Sequence, residues 1–176
     1  MHLDGARLFN ASISSDIPLK EWGKYFDTIS VCFSKGLGAP LGSILLGSEA
    51  VITKAHRLRK VMGGGMRQVG VVASAALYAI KNNLERLKVD HANAKILANS
   101  IREIDGLDLE FPDIETNIVW IKVNPKKAKA PELIKSLKEK GILVTGGPDN
   151  LIRAVTHLDV NEKDIQKVSQ TLLELM

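Results

Sequence analysis

Apolar positions along the chain alternate between a spacing of two and a spacing of three to four, and the switches mark out its elements. Leu19, Trp22 and Phe26 recur at helical spacing behind Pro18, which predicts a short helix over 18–26. Thr28–Phe33 is β-branched and apolar, the texture of a buried strand that ends at Ser34 and Lys35. Gly36-Leu37-Gly38-Ala39-Pro40 reads as a loop, and Ser43–Leu46 resumes as a strand. Ser48 and Glu49 stand where a helix cap stands, ahead of a helix that runs to Arg59 and is broken by Gly63-Gly64-Gly65. Leu77, Ile80, Leu84 and Leu87 then form the stripe of a helix with one buried face. Helical character continues over 92–104 and stops at Asp105-Gly106.

The texture changes from about residue 107. Strands are predicted at 109–111, 118–123, 142–144 and 152–155, with a helix over 131–140 between them. A final helix from Asn161 buries Ile165, Val168 and Leu172. Such an order belongs to a small α/β lobe with its helices on one sheet face, and it places a domain boundary near residue 105. No internal repeat or low-complexity segment interrupts the pattern.

Composition narrows the class without naming a function. The chain has 176 residues, 45% hydrophobic and 25% charged, which fits a globular fold with a sizeable core. Its 24 Lys+Arg against 20 Asp+Glu leave a net charge of +4, too small and too dispersed to predict a nucleic-acid partner. Cys32 is the single cysteine, so no internal disulfide forms, and a reducing, cytoplasmic setting is expected. No apolar run approaches the ~20 residues of a membrane span, and the first residues are not a basic-then-apolar signal.

Four places could carry chemistry. Lys35 stands at a strand end before a glycine-rich loop, where an amine can meet an aldehyde on a fixed platform; a surface lysine before a turn is the plain alternative. Asp4 and Arg7 lie close to the first residue. A carboxylate there can hold a proton on a pyridine ring and an arginine can bind an anion, or the pair is a turn aspartate with a solvated arginine. Lys60 and Arg67 flank the triple glycine in a way that suits phosphate, or the glycines are a helix-breaking linker with solvated charges; no nucleotide phosphate-loop or dinucleotide fingerprint is present. Arg153, inside an apolar strand, calls for a carboxylate from a substrate or from the chain itself. His91 and His157 lack metal-ligand spacing, and Ser34 lacks the glycines of a nucleophile elbow, so neither zinc nor a serine nucleophile is predicted.

These segments come together in one resemblance. HLDGARLFNA at 2–11, SVCFSKGLGAPLGS at 30–43, RLRKVMGGGMRQVG at 57–70 and TNIVWIKV at 116–123 are similar to the C-terminal portion of the low-specificity L-threonine aldolases, fold-type I pyridoxal phosphate enzymes. The resemblance implies an α/β fold in which 1–105 is part of the cofactor-binding large domain and 106–176 a small C-terminal α/β (α+β) domain. It implies pyridoxal 5'-phosphate as cofactor, with Lys35 as the catalytic lysine that holds it and Asp4 at the pyridine nitrogen. Arg7 resembles the arginine that positions cofactor and substrate carboxylate, and Arg153 the one that binds that carboxylate. Arg67 and Lys60 resemble cations that reach the cofactor phosphate from a neighbouring subunit, which implies a homo-oligomer, dimer or tetramer, with a shared site.

The implied reaction cleaves L-threonine or L-allo-threonine to glycine and acetaldehyde, a step in glycine supply and threonine breakdown. A related aminotransferase or β-eliminating lyase, and a non-catalytic fragment that assembles with a longer partner, are the alternatives. The resemblance also implies upstream strands, a phosphate-cradling loop and a ring-stacking histidine ahead of Met1. The chain is therefore expected to be a truncated form, or to pair with a chain that supplies the rest.

Overall fold

His2–Gly5 forms strand β1 and Thr28–Cys32 forms β2, and the two run parallel in the register His2–Thr28 to Gly5–Val31. Parallel neighbours need a crossover. Helices α1 (Leu8–Ser15) and α2 (Leu19–Trp22) lie in that connection. The computed structural model describes all residues, 1–176. Strand β3 (Ser43–Gly47) pairs antiparallel with β2, giving a sheet of order β1-β2-β3. Helices α3 (Glu49–Val61) and α4 (Gly70–Asn83) complete the first compact unit, Met1–Leu87. Its core joins Ile29 and Val31 of β2 to Leu8 and Phe9 of α1, with Leu37, Ala39, Ala79 and Leu87.

The second unit, Lys88–Met176, contains nearly all of α5 (Leu87–Glu103), then β4 (Leu107–Leu109), β5 (Ile118–Val123), α6 (Ala130–Glu139), β6 (Thr145–Gly146), β7 (Leu151–Val155) and α7 (Glu162–Leu175). Its four-stranded sheet has the order β4-β5-β7-β6 and is antiparallel throughout. Alternation sends Val119, Ile121, Ile152 and Ala154 to one face, where they join buried side chains of α5, α6 and α7 in a continuous core. Trp120 and Arg153 therefore lie on the other, half-exposed face.

Several expectations differ from what the structure contains, each for a local reason. The division falls at Leu87/Lys88 rather than near 105, because Ala94, Leu97, Ala98 and Ile101 of α5 pack into the second core. Helix α1 has no counterpart in the sequence reading; its apolar residues cluster at 8, 9 and 13 and make no long stripe. The helix expected over 18–26 shortens to α2, with Phe26 beyond it. Residues 142–144 are not a strand. The Ile142 N–H instead bonds to Leu137 O at 2.9 Å, and Gly141, at φ +79°, bonds to Lys138 O, so both close the end of α6.

The expected strand at 109–111 sits two residues earlier, where Leu107 and Leu109 bury and Phe111 stays exposed. Leu77, predicted to face a core, is 52% exposed, and α4 buries only Ala76 and Ala79. Ser48 has the extended backbone of an N-cap, yet its side chain accepts no capping bond.

Candidate active site

Strand alternation divides the residues of β1 and β2 between two faces. Ile29 and Val31 turn towards Leu8 and Phe9, so Thr28, Ser30 and Cys32 turn the other way, as do His2 and Asp4. A contact of 2.8 Å between His2 Nδ1 and Thr28 Oγ1 places the strands' outer side chains together. Asp4 lies opposite Ser30 near the carboxyl end of β1. Its Oδ1 accepts the Ala6 N–H at 3.1 Å, which fixes the carboxylate against the turn that follows. Gly5 closes that turn, and a Cβ there would lie 2.7 Å from Ser30 O. Arg7 follows at the start of α1, half-buried.

Lys35 lies just past the carboxyl end of β2, on a loop held at several points. Phe33 N–H bonds to Gly42 O at 3.0 Å and Ala39 N–H to Phe33 O at 3.1 Å, so the loop's two ends are tied. Gly38 donates to Lys35 O at 2.8 Å, from a φ of +73° that an L side chain rarely adopts. Leu37, 1% exposed, plugs the core beneath, and Asn83 Nδ2 on α4 donates to Leu37 O at 2.7 Å. Gly36 has no room for a side chain, since a Cβ would lie 2.9 Å from both Asn10 Oδ1 and Leu87 Cδ2. The anchored loop leaves the Lys35 side chain exposed. Asp4, Arg7 and Lys35 thus share the carboxyl ends of two adjacent parallel strands, where open α/β sheets bind ligands.

The remaining predicted residues are placed elsewhere. Lys60 is in the last turn of α3 and Arg67 in the segment before α4, both exposed. Two of the three glycines between them are explained by the helix end. Gly63, at φ +77°, donates to Lys60 O, and Gly64 donates to Arg59 O at 2.7 Å, a Schellman closure. Arg153, in the second unit, meets no carboxylate of the chain; its Cζ lies 5.9 Å from the centroid of the Trp120 ring.

An apolar cavity of about 830 Å³ in the first unit is lined by Leu8, Phe9, Ile29, Val31, Ile44 and Leu46 among others, and by none of the predicted site residues. It opens on the face of β2 opposite Asp4, so this hollow and the candidate chemistry do not coincide.

No group of three or more His, Cys, Asp or Glu side chains could hold a metal ion, and no helix is long and apolar enough to cross a membrane. His91 is buried in the second unit, and burial pulls its imidazole pKa below 6.5; Lys95 adds to that, while Asp90 opposes it. Lys122, hydrogen-bonded to Glu110, is held above the usual lysine value by that bond. Sequence reasoning missed the Asn83 tether and the Trp120 ring under Arg153. Neither has a local signal, because their partners meet only through the fold.

The profile of the beta-eliminating lyase family matches residues 1–124. The chain is 43% identical over 94% of its length to low-specificity L-threonine aldolase 1 of Arabidopsis thaliana, covering 46% of that protein. It is 43% identical over 96% of its length to the low specificity L-threonine aldolase of Escherichia coli K12, covering 49% of it. The chain thus spans about half the length of the curated relatives it matches, corresponding to their C-terminal portion. Among solved structures, a candidate L-allo-threonine aldolase from Listeria monocytogenes superposes with a TM-score of 0.82 over 99% of this chain and 52% of its own, at 21% identity. That likeness establishes a shared fold.

Proposed function

This chain belongs to the beta-eliminating lyase family, and on that premise we propose that it serves a pyridoxal phosphate-dependent aldehyde lyase that splits L-threonine or L-allo-threonine into glycine and acetaldehyde. One observation carries the reading. An exposed amine, Lys35, and an exposed carboxylate, Asp4, stand at the carboxyl ends of neighbouring parallel strands, the first on a loop tied at both ends. That donor set fits pyridoxal phosphate, whose aldehyde needs an amine and whose ring nitrogen needs an acid-base partner. Bound there, the cofactor supplies an electron sink for the electron pair left when the Cα–Cβ bond breaks.

The chain's own residues divide the remaining work. Lys35 is the amine that would hold the cofactor through its aldehyde, at the place the substrate amine would also have to reach. Asp4 holds the proton at the pyridine nitrogen, where its negative charge favours the protonated form. Arg153 binds the substrate carboxylate through the in-plane N–H donors of its guanidinium, and Arg7 orients cofactor and carboxylate. The overall cleavage balances within the substrate: the β-hydroxyl loses one proton as acetaldehyde forms, and Cα gains one as glycine forms. Lys60 and Arg67, exposed on either side of the glycine turn, supply charge to a cofactor phosphate in a neighbouring copy, so the assembly is a homo-oligomer with shared sites. We place the enzyme in the cytoplasm, in glycine supply and threonine breakdown.

Incubation with pyridoxal phosphate, borohydride reduction and peptide mass spectrometry test the central assignment. The reading expects label confined to Lys35 and absent from Lys35→Ala. Label spread over many lysines, or unchanged in that variant, removes Lys35 from the role.

A further inference from the structure

We propose that Trp120 is a positioning residue that holds Arg153 in the pose needed to take a substrate carboxylate. The inference rests on the reading of Arg153 given above. Trp120 and Arg153 lie directly opposite each other on β5 and β7, so both side chains rise from the same sheet face. The Arg153 guanidinium carbon lies 5.9 Å from the Trp120 ring centroid, within cation–π range. Arg153 has no ion pair within this chain, so no carboxylate of its own occupies the guanidinium N–H donors. Its in-plane N–H donors therefore stay available for a carboxylate fork.

The ring is itself held. A Cβ at Gly147 would lie 2.5 Å from Trp120 Cζ3 and 3.3 Å from Cη2, so the ring occupies the space a side chain there would need. Gly147 N–H bonds to Leu151 O at 2.8 Å and Leu151 N–H to Pro148 O at 3.0 Å, which fixes the turn that bounds the ring's edge. A long, flexible arginine is thus given one resting place before any ligand arrives. That lowers the ordering cost of binding.

The test follows the Arg153 Nε–Hε resonance in the isotope-labelled chain, identified by its loss in Arg153→Lys. The probes are L-threonine and L-threoninol, in which a neutral hydroxymethyl group replaces the carboxylate. The wild-type signal is expected to be displaced by the ring current and to move further with threonine, not threoninol. Trp120→Leu should return it to the position of a free arginine and raise the half-maximal threonine concentration about fivefold, whereas Trp120→Phe restores most of the response. Gly147→Ala should act like Trp120→Leu, because its methyl displaces the ring from an intact strand, and it decides the matter if Trp120→Leu fails to fold. An unchanged signal and titration in Trp120→Leu, or in Gly147→Ala where it stands in, overturns the positioning role alone. A wild-type signal that answers both probes equally, or neither, overturns the carboxylate reading of Arg153 beneath it.

Discussion

The two units differ in how far they cover their apolar residues. In the second, α5, α6 and α7 each bury a face, and Val119, Ile121, Ile152 and Leu172 are at most 2% exposed. In the first, α3 buries nothing, β3 is exposed at every residue, and Leu58, Val61 and Met62 stand 58%, 76% and 84% exposed. Both units are amphipathic in sequence. An amphipathic pattern declares that a face needs cover, but it does not say that this chain supplies the cover. The helix stripe through Leu77 makes the point, since its spacing is right and its side chain is exposed.

Core deletion should sharpen the contrast most. Ile152→Ala, at a fully buried position, is expected to destabilise the second unit by about 2–5 kcal/mol, read as faster hydrogen exchange of the β5 amides. Leu46→Ala, at a position 44% exposed, should change the first unit by no more than about 0.5 kcal/mol. Equal losses would break the comparison.

The helix starts differ in the same sense. Asn161 accepts from Lys163 and Asp164 N–H while the Asp164 carboxylate accepts the Asn161 N–H, a complete capping box on α7. Asn161→Ala should therefore cost about 1 kcal/mol in urea unfolding. Ser48→Ala, which removes no capping bond from α3, should leave the midpoint where it was.

A smaller effect separates the units by pH. Burial holds the His91 pKa below the 6.5 it has when unfolded, so its neutral form favours the fold above that value. Stability is then lost as pH falls below 6.5 towards the folded pKa. Exchange protection in β5 and β7 should decline between about pH 7 and pH 5, and His91→Asn should flatten that decline. A decline of the same slope in His91→Asn would assign it to other groups.

The elements legible in the sequence were those whose signals are local. Strands β2, β3, β5 and β7 and helices α3 and α7 lie close to where residue spacing and turn chemistry predict them. Helix α1 escaped because it is short and without a stripe, and 142–144 misled because Ile142 spends its N–H on the end of α6. Much of the candidate site was equally legible, since Asp4, Arg7 and Lys35 belong to contiguous strings with recognisable chemistry.

By itself, then, the sequence determined which residue types stand together along the chain: a lysine ahead of a glycine loop, an aspartate and arginine flanking a turn, an arginine in an apolar strand. Tertiary structure decided what no string contains. Parallel pairing of β1 with β2 brings Asp4 and Lys35 to the same end of the sheet, Asn83 and Leu37 lock the lysine's loop, and the pairing of β5 with β7 sets Trp120 beside Arg153. Each of these depends on residues far apart in sequence meeting through strand register and core packing, and local spacing carries no record of that.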